Sequence, residues 1–274
     1  MKPQHLLSLL FIFAYILGHS QDKGYIVISA GPSFPTGDFG SKDVDNESAG
    51  FANTGAIFDL TFAQKFGKTF GLTLMLRGQA NGVDTDPLVY ELISEAPDVS
   101  WSPESENWTI FGILGGLYGS FPMGATAKVT FDTRAMIGYL NATSPQITIN
   151  GNYLGTNFWV GTESSYADAF AYLLGAGFRF NLGTHLCLLT NLDYLGATPE
   201  FLQVASITIT GDYRTNSYQQ KLGTVNVGVG MGWRCSLPYK SDSLKVDNLS
   251  NFKLFNYEKI KIHGDPDCGY SQAV

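Results

Sequence analysis

Residues Gly223 to Cys235 read GTVNVGVGMGWRC. Thr224, Asn226, Gly228, Gly230, Gly232 and Arg234 fall on one parity, and Val225, Val227, Val229, Met231 and Trp233 on the other. Side chains along a strand point alternately to opposite faces, so one face of this stretch is apolar and the other is small and polar. The same alternation recurs through most of the chain, and a set of such strands predicts a barrel.

The bulk composition agrees. The chain has 274 residues, a formal net charge of -7, 31 glycines and 14% aromatic residues. Hydrophobic residues make up 44%, yet the mean hydropathy is only +0.01. No apolar run approaches the roughly 20 residues that a membrane helix needs, which excludes a helical membrane protein. The length suits one domain, since barrels often exceed 200 residues as a single unit. The mildly acidic balance argues against nucleic acid as a partner.

Residues 1–20 stand apart. Lys2 and His5 precede the apolar run Leu6–Leu17, 12 residues long, and Gly18-His19-Ser20 follows it. This predicts a secretory signal cleaved near Ser20. Cys187, Cys235 and Cys268 are an odd number and cannot all pair internally. Beyond the signal only His185 and His263 remain, with no close Cys/His spacing, so neither a metal nor a cofactor is expected.

Working outward from Gly223, strands are predicted at Tyr25–Phe34, Phe51–Phe66, Phe70–Asn81, Trp108–Phe121, Lys128–Tyr139, Phe170–Phe180 and Leu186–Tyr194. Gly112, Gly115, Gly116 and Gly119 leave the parity of the fourth strand open. The long acidic insertion 82–107 holds a predicted short helix at Leu88–Ala96. Asn150-Gly151 reads as a hairpin turn, and Val204–Thr210 runs into Gly211-Asp212. These extra hairpins are read as strands extending above the membrane.

Long connections, near 38–50, 82–107, 141–168 and 196–221, alternate strictly with short ones near 67–69, 122–126 and 181–185. Bacterial outer-membrane barrels have this asymmetry, with short periplasmic turns and long outer loops. The expected fold is therefore all-β: an antiparallel up-and-down transmembrane barrel of about eight strands, or ten with the hairpins. Residues 1–20 are the signal, 21–235 the barrel and 236–274 a C-terminal periplasmic tail.

Alternation alone does not say which face points outward. A soluble lipocalin-like barrel places its apolar face inside and carries lipid there. A membrane barrel turns that face to lipid. The loop asymmetry favours the membrane, as does the presence of matched acids and bases on the polar face. Asp59 and Arg77 lie at similar distances from the turn at 67–69 and should meet across the hairpin. Asp132 and Arg134 share a face, and Arg179, Asp193 and Arg234 fall on the same parity. Charges in a narrow lumen must be paired, because unpaired burial costs several kcal/mol. These seven residues form the expected lumen network.

At this point the chain resembles the small outer-membrane β-barrel family, the group of OmpA-, OmpX- and OmpW-like barrels. The resemblance is carried by GPSFPTGDFG (31–40), SAGFANTGAIFDL (48–60) and FDTRAMIGYLNATSP (131–145), and covers roughly Tyr25 to Cys235. It implies an integral outer-membrane location and lipid as a partner. Family members often end on an aromatic assembly signal. Trp233 holds the equivalent place here, but 39 residues follow Cys235. Enzymatic barrels use His with Asp or Ser at the outer rim; His185 lies at a short periplasmic turn and His263 in the tail, so no enzyme is expected.

The loop aromatics Trp101, Trp108, Tyr153, Phe158, Trp159, Tyr166, Tyr213 and Tyr218 offer a surface patch for an extracellular ligand, or else form an interfacial girdle with loop packing. The expected function is structural, or surface ligand binding and adhesion. A conduit for small hydrophobic molecules and a soluble lipid carrier are the alternatives.

Overall fold

A computed structural model describes residues 24–124, 128–208 and 211–235. The proposed signal and the tail lie outside the described residues, as do residues 125–127 of the second short turn. In chain order the elements are β1 Gly24–Pro35, β2 Ala52–Lys65, β3 Phe70–Val83, α1 Asp86–Glu95, β4 Ser100–Ser105, β5 Trp108–Met123 and β6 Val129–Ser144. They continue as β7 Ile147–Tyr153, β8 Thr156–Thr162, β9 Ser165–Asn181, β10 Leu186–Ala197, β11 Glu200–Ile207, β12 Tyr213–Gln219 and β13 Leu222–Cys235.

Eight strands close a barrel in the order β1-β13-β10-β9-β6-β5-β3-β2. β1 pairs antiparallel with both β2 and β13, so no edge remains among the eight. The other five form a second sheet, ordered β12-β11-β8-β7-β4, built entirely from the long connections. Helix α1 lies in the same region. Among the described residues no helix is long and apolar enough to cross a membrane.

The facing of the opening stretch is unambiguous. Asn226 is 0% exposed and Thr224 1%, whereas Val229 and Met231 are 54% and 59% exposed. Ile28 on β1, Phe58 on β2, Leu174 on β9 and Leu192 on β10 are likewise exposed. The register sets aromatic residues toward both ends of this apolar wall. Phe111, Tyr139 and Phe170 fall toward the long connections, and Phe66, Phe121 and Trp233 toward the short turns.

Several sequence expectations need correction. The barrel strands run past their expected ends, β6 to Ser144 and β9 back to Ser165, because the ladder continues to Ser144↔Ser165 above the apolar wall. Asn150-Gly151 is not the hairpin turn. Both residues lie within β7, opposite Trp159 and Phe158, and the chain reverses at Leu154-Gly155. Those two residues take positive φ values of 49° and 86°, which a two-residue hairpin of this hand requires. The tight approach of Trp101 and Phe158 leaves no room for a Cβ at Gly151, so that glycine serves packing instead. β4 has no counterpart in the sequence reading. β5 settles its open parity with Ile110, Leu114 and Tyr118 inward.

Candidate functional site

The interior holds two ion clusters. Asp59 and Arg77 are register partners across β2 and β3. Arg77 donates from Nε to Asp59 Oδ1 and from Nη2 to Asp59 Oδ2, both at 2.7 Å. Nη2 also donates to Asp193 Oδ2 at 3.1 Å. Arg134 approaches Asp193 from the other side, with Nε to Oδ1 at 2.8 Å and Nη2 to Oδ2 at 2.6 Å. Asp193 therefore bridges two guanidinium groups, joining β2, β3, β6 and β10 across the lumen. Two-point pairing of this kind fixes geometry as well as charge.

The second cluster lies nearer the short turns. Arg179 donates from Nε to Asp132 Oδ2 at 2.9 Å, and from Nη2 to Asp132 Oδ1 at 3.2 Å and Ser120 Oγ at 2.8 Å. Its guanidinium carbon sits 4.6 Å above the Tyr25 ring, which meets Tyr118 edge-on. Sequence parity alone does not identify Ser120 and Tyr25 as partners, because each comes from a strand distant in sequence.

Glycine makes the first cluster fit. A Cβ at Gly175, on β9, would collide with Asp193 Oδ1 and lie 3.0 Å from Arg134 Nε. Arg234 is a correction. It shares the inward parity but lies beyond both clusters, where Nη1 donates to the Gly183 carbonyl of the β9–β10 turn at 3.3 Å. Two residues past Gly232, the last inward glycine, the lumen has already ended.

The interior is not polar throughout, as the alternation implied. Ile110, Leu114, Leu140 and Leu173 point inward from β5, β6 and β9 as a buried apolar cluster. An eight-stranded barrel is just wide enough to be filled by its side chains, so these residues pack as a core. Phe39, Trp108 and Phe201 close the mouth above them. Trp108 meets Phe39 edge-on at 5.4 Å and Phe201 at 5.9 Å, and Tyr218 stacks on Phe201 at 5.2 Å. Trp108 Nε1 donates to the Gly50 carbonyl at 2.9 Å, and Gln220 Nε2 to the Ser48 carbonyl at 3.0 Å. The first and last long connections are thereby tied together across the mouth.

Trp108 is thus a second correction: it is buried in this plug rather than part of a surface patch. Of the other loop aromatics, Tyr153, Trp159, Tyr166 and Tyr213 are exposed. Trp101 and Phe158 pack edge-on at 5.5 Å across the outer sheet. The structure does not gather them into one patch: Tyr153 pairs with Thr156 and Trp159 with Asn150, so these two fall on opposite faces of the outer sheet. Phe39 escaped the sequence reading because it is a single aromatic inside a polar loop. Its burial depends on the turn Gly37–Gly40, which folds it into the mouth.

Two titrations outside the barrel wall are shifted. Partial burial pulls the Lys42 ammonium below the usual lysine range, opposed by Asp84 at 3.5 Å. Burial pushes the Tyr218 phenol up, opposed by its hydrogen bond with Ser144. Among the described residues no group of three or more His, Cys, Asp or Glu is placed to hold a metal.

An apolar outer wall, aromatic residues toward both its ends and an ion-paired, filled interior define a small transmembrane-type β-barrel. No protein-family model matches the chain. No curated protein matches it. Among solved structures it is similar to Ail, the attachment invasion locus protein of Yersinia pestis, with 14% identity and a TM-score of 0.40 over 78% of this chain and 99% of that one. It is also similar to a major outer membrane protein from Thermus thermophilus, with 10% identity and a TM-score of 0.44 over 77% and 99%. A third is the outer membrane protein OprG from Pseudomonas aeruginosa, with 13% identity and a TM-score of 0.39 over 80% and 99%.

Proposed function

We propose that this chain is an integral outer-membrane barrel with a closed lumen that works at the cell surface, as a binding or adhesion protein and not as an enzyme. One observation carries the reading. The long connections assemble a five-stranded sheet above a barrel whose interior is occupied by ion clusters and an aromatic plug. Material invested in ordered outer structure, over a filled lumen, favours surface recognition over passage.

Lipid as the solvent of the outer wall follows from its exposed Ile, Leu, Val and Phe side chains, which water would disfavour. A lipid carrier needs an apolar cavity inside, where this chain has Asp59, Arg77 and Asp193. A conduit needs a continuous path, which the two clusters and the plug oppose.

The test has two arms. Planar-bilayer recordings of the purified protein should show no stable open level; a large persistent conductance overturns the closed lumen. Cells carrying the full protein should be retained on one of a set of immobilised cationic, anionic and neutral surfaces. Cells carrying a version with residues 148–161 replaced by a short turn should lose that retention at equal folded amounts. Equal behaviour of the two overturns the surface-binding reading.

A further inference from the structure

Helix α1 is ten residues long, a length that is marginal in water without packing. It buries none of its residues, and Tyr90 is 73% exposed. One face of the helix nevertheless looks onto the outer sheet. Between them lies an open cleft of about 430 Å³. Leu88 and Leu92 form one wall, and Ile149, Val160 and Ile207 form the other. Such a volume falls within the range of small-molecule sites.

The same helical face carries acids. Glu91 and Glu95 sit among Leu88 and Leu92 at three- and four-residue spacings, so all four share one side of the helix. Glu91 and Glu95 both line the cleft, and both are exposed. Among the described residues neither makes an ion pair: the salt bridges of the loops are Lys42 with Asp84 and Lys221 with Asp38. Residues 82–107 contain no Lys, Arg or His. Two unneutralised carboxylates at the mouth of an apolar cleft have a specific complement.

We propose that this cleft binds a small cationic amphiphile, an apolar body bearing a protonated amine. The body lies between α1 and the sheet, and the ammonium meets Glu91 and Glu95. This rests on the surface-binding reading and names the ligand class of that surface. The apolar wall alone would take a neutral or anionic body equally well. Charge complementarity selects the cation.

Three probes with one apolar body test it: phenylbutylamine, phenylbutanol and phenylbutyrate, titrated calorimetrically into the full-length protein in a zwitterionic detergent, with empty micelles subtracted. The amine should bind roughly tenfold more tightly than the alcohol, and the acid more weakly than either. E91Q/E95Q should bring the amine to the level of the alcohol and leave the alcohol unchanged. L88W, which fills the cleft from the exposed helix, should weaken both. Equal affinity for the three probes, or amine binding untouched by E91Q/E95Q or by L88W, overturns the proposal. Both variants should keep the heat-dependent gel shift of a folded barrel. The placement of the cleft is tested separately by labelling Y90C on intact cells with a membrane-impermeant maleimide. Absence of labelling, with the purified protein still binding the amine, would sink the surface reading and leave the cleft standing. Labelling without amine selectivity would do the reverse.

Discussion

Asp59 and Arg77 stand directly opposite each other on β2 and β3, each 1% exposed, and share two hydrogen bonds of 2.7 Å. Pairing matters more here than attraction. A buried charge whose partner is removed loses both its compensation and its water. D59N or R77Q alone should therefore destabilise the folded barrel by about 3–5 kcal/mol. The double variant should cost less than the sum, because neither side leaves a naked charge. Urea unfolding from lipid vesicles measures the cycle, and additive losses would show that the pair is not coupled.

Gly175→Ala tests the room the first cluster needs. The added methyl meets Asp193 and Arg134 rather than open space. Overpacking of this kind costs about 1–3 kcal/mol. Gly183, in the exposed turn, meets nothing within 4 Å but has a φ of +99°. Its alanine variant should show strain alone, so only Gly175→Ala should alter the coupling measured between Asp59 and Arg77.

Val227 and Asn226 are neighbours in sequence on opposite faces of the wall. Val227→Arg should cost about 2–4 kcal/mol if the residue sits near the bilayer midplane. A fluorophore on Val227→Cys should be strongly quenched by brominated lipid, and one on Asn226→Cys clearly less so. Quenching of Asn226 alone would mean that every facing is inverted. Quenching of neither would restore the soluble-barrel alternative.

Trp108 ties the mouth shut through Phe39, Phe201 and the Gly50 carbonyl. Trp108→Ala should lower stability by about 3–5 kcal/mol. It should not produce a channel, because Asp193 still bridges Arg77 and Arg134 below it. Circular dichroism during urea unfolding and bilayer recordings on one preparation check both statements.

Cys187 is fully buried and its Sγ donates to the Gly232 carbonyl at 3.6 Å. It should resist maleimide in the folded barrel and react once the protein is unfolded. Its ladder partner is Gly232, which puts Cys235 three residues, or about 10 Å, further along the neighbouring strand, beyond disulfide reach. A Cys187–Cys235 bridge in peptide mapping would show the register to be wrong.

How much of this was legible beforehand follows from the range of each interaction. The period of two in GTVNVGVGMGWRC, and its echoes in most of the other barrel strands, gave about eight wall strands and sorted their side chains into two faces, because alternation is a local property of extended chain; the parity of β5 and the choice between eight and ten strands waited for the structure. The Asp59–Arg77 pair was readable too, since a tight turn fixes which residues of a hairpin stand opposite. The partners of Arg134 and Arg179 were not: Arg134 reaches Asp193 over Gly175 of the intervening β9, and Arg179 reaches Ser120 over the intervening β6, contacts set by the order of strands in the closed wall. Arg234 had the right parity and the wrong depth, since alternation carries no information about where the lumen ends. The loops were least legible. β4 pairs with β7 only once the barrel has brought two long connections to the same rim. Trp108 and Phe39 become a plug only because closure of the barrel leaves a mouth that must be filled. Sequence by itself determined the wall, whose pattern repeats every two residues. Tertiary structure decided the seal, the outer sheet and the cleft beside α1, because each is made by residues that meet only after the wall has closed.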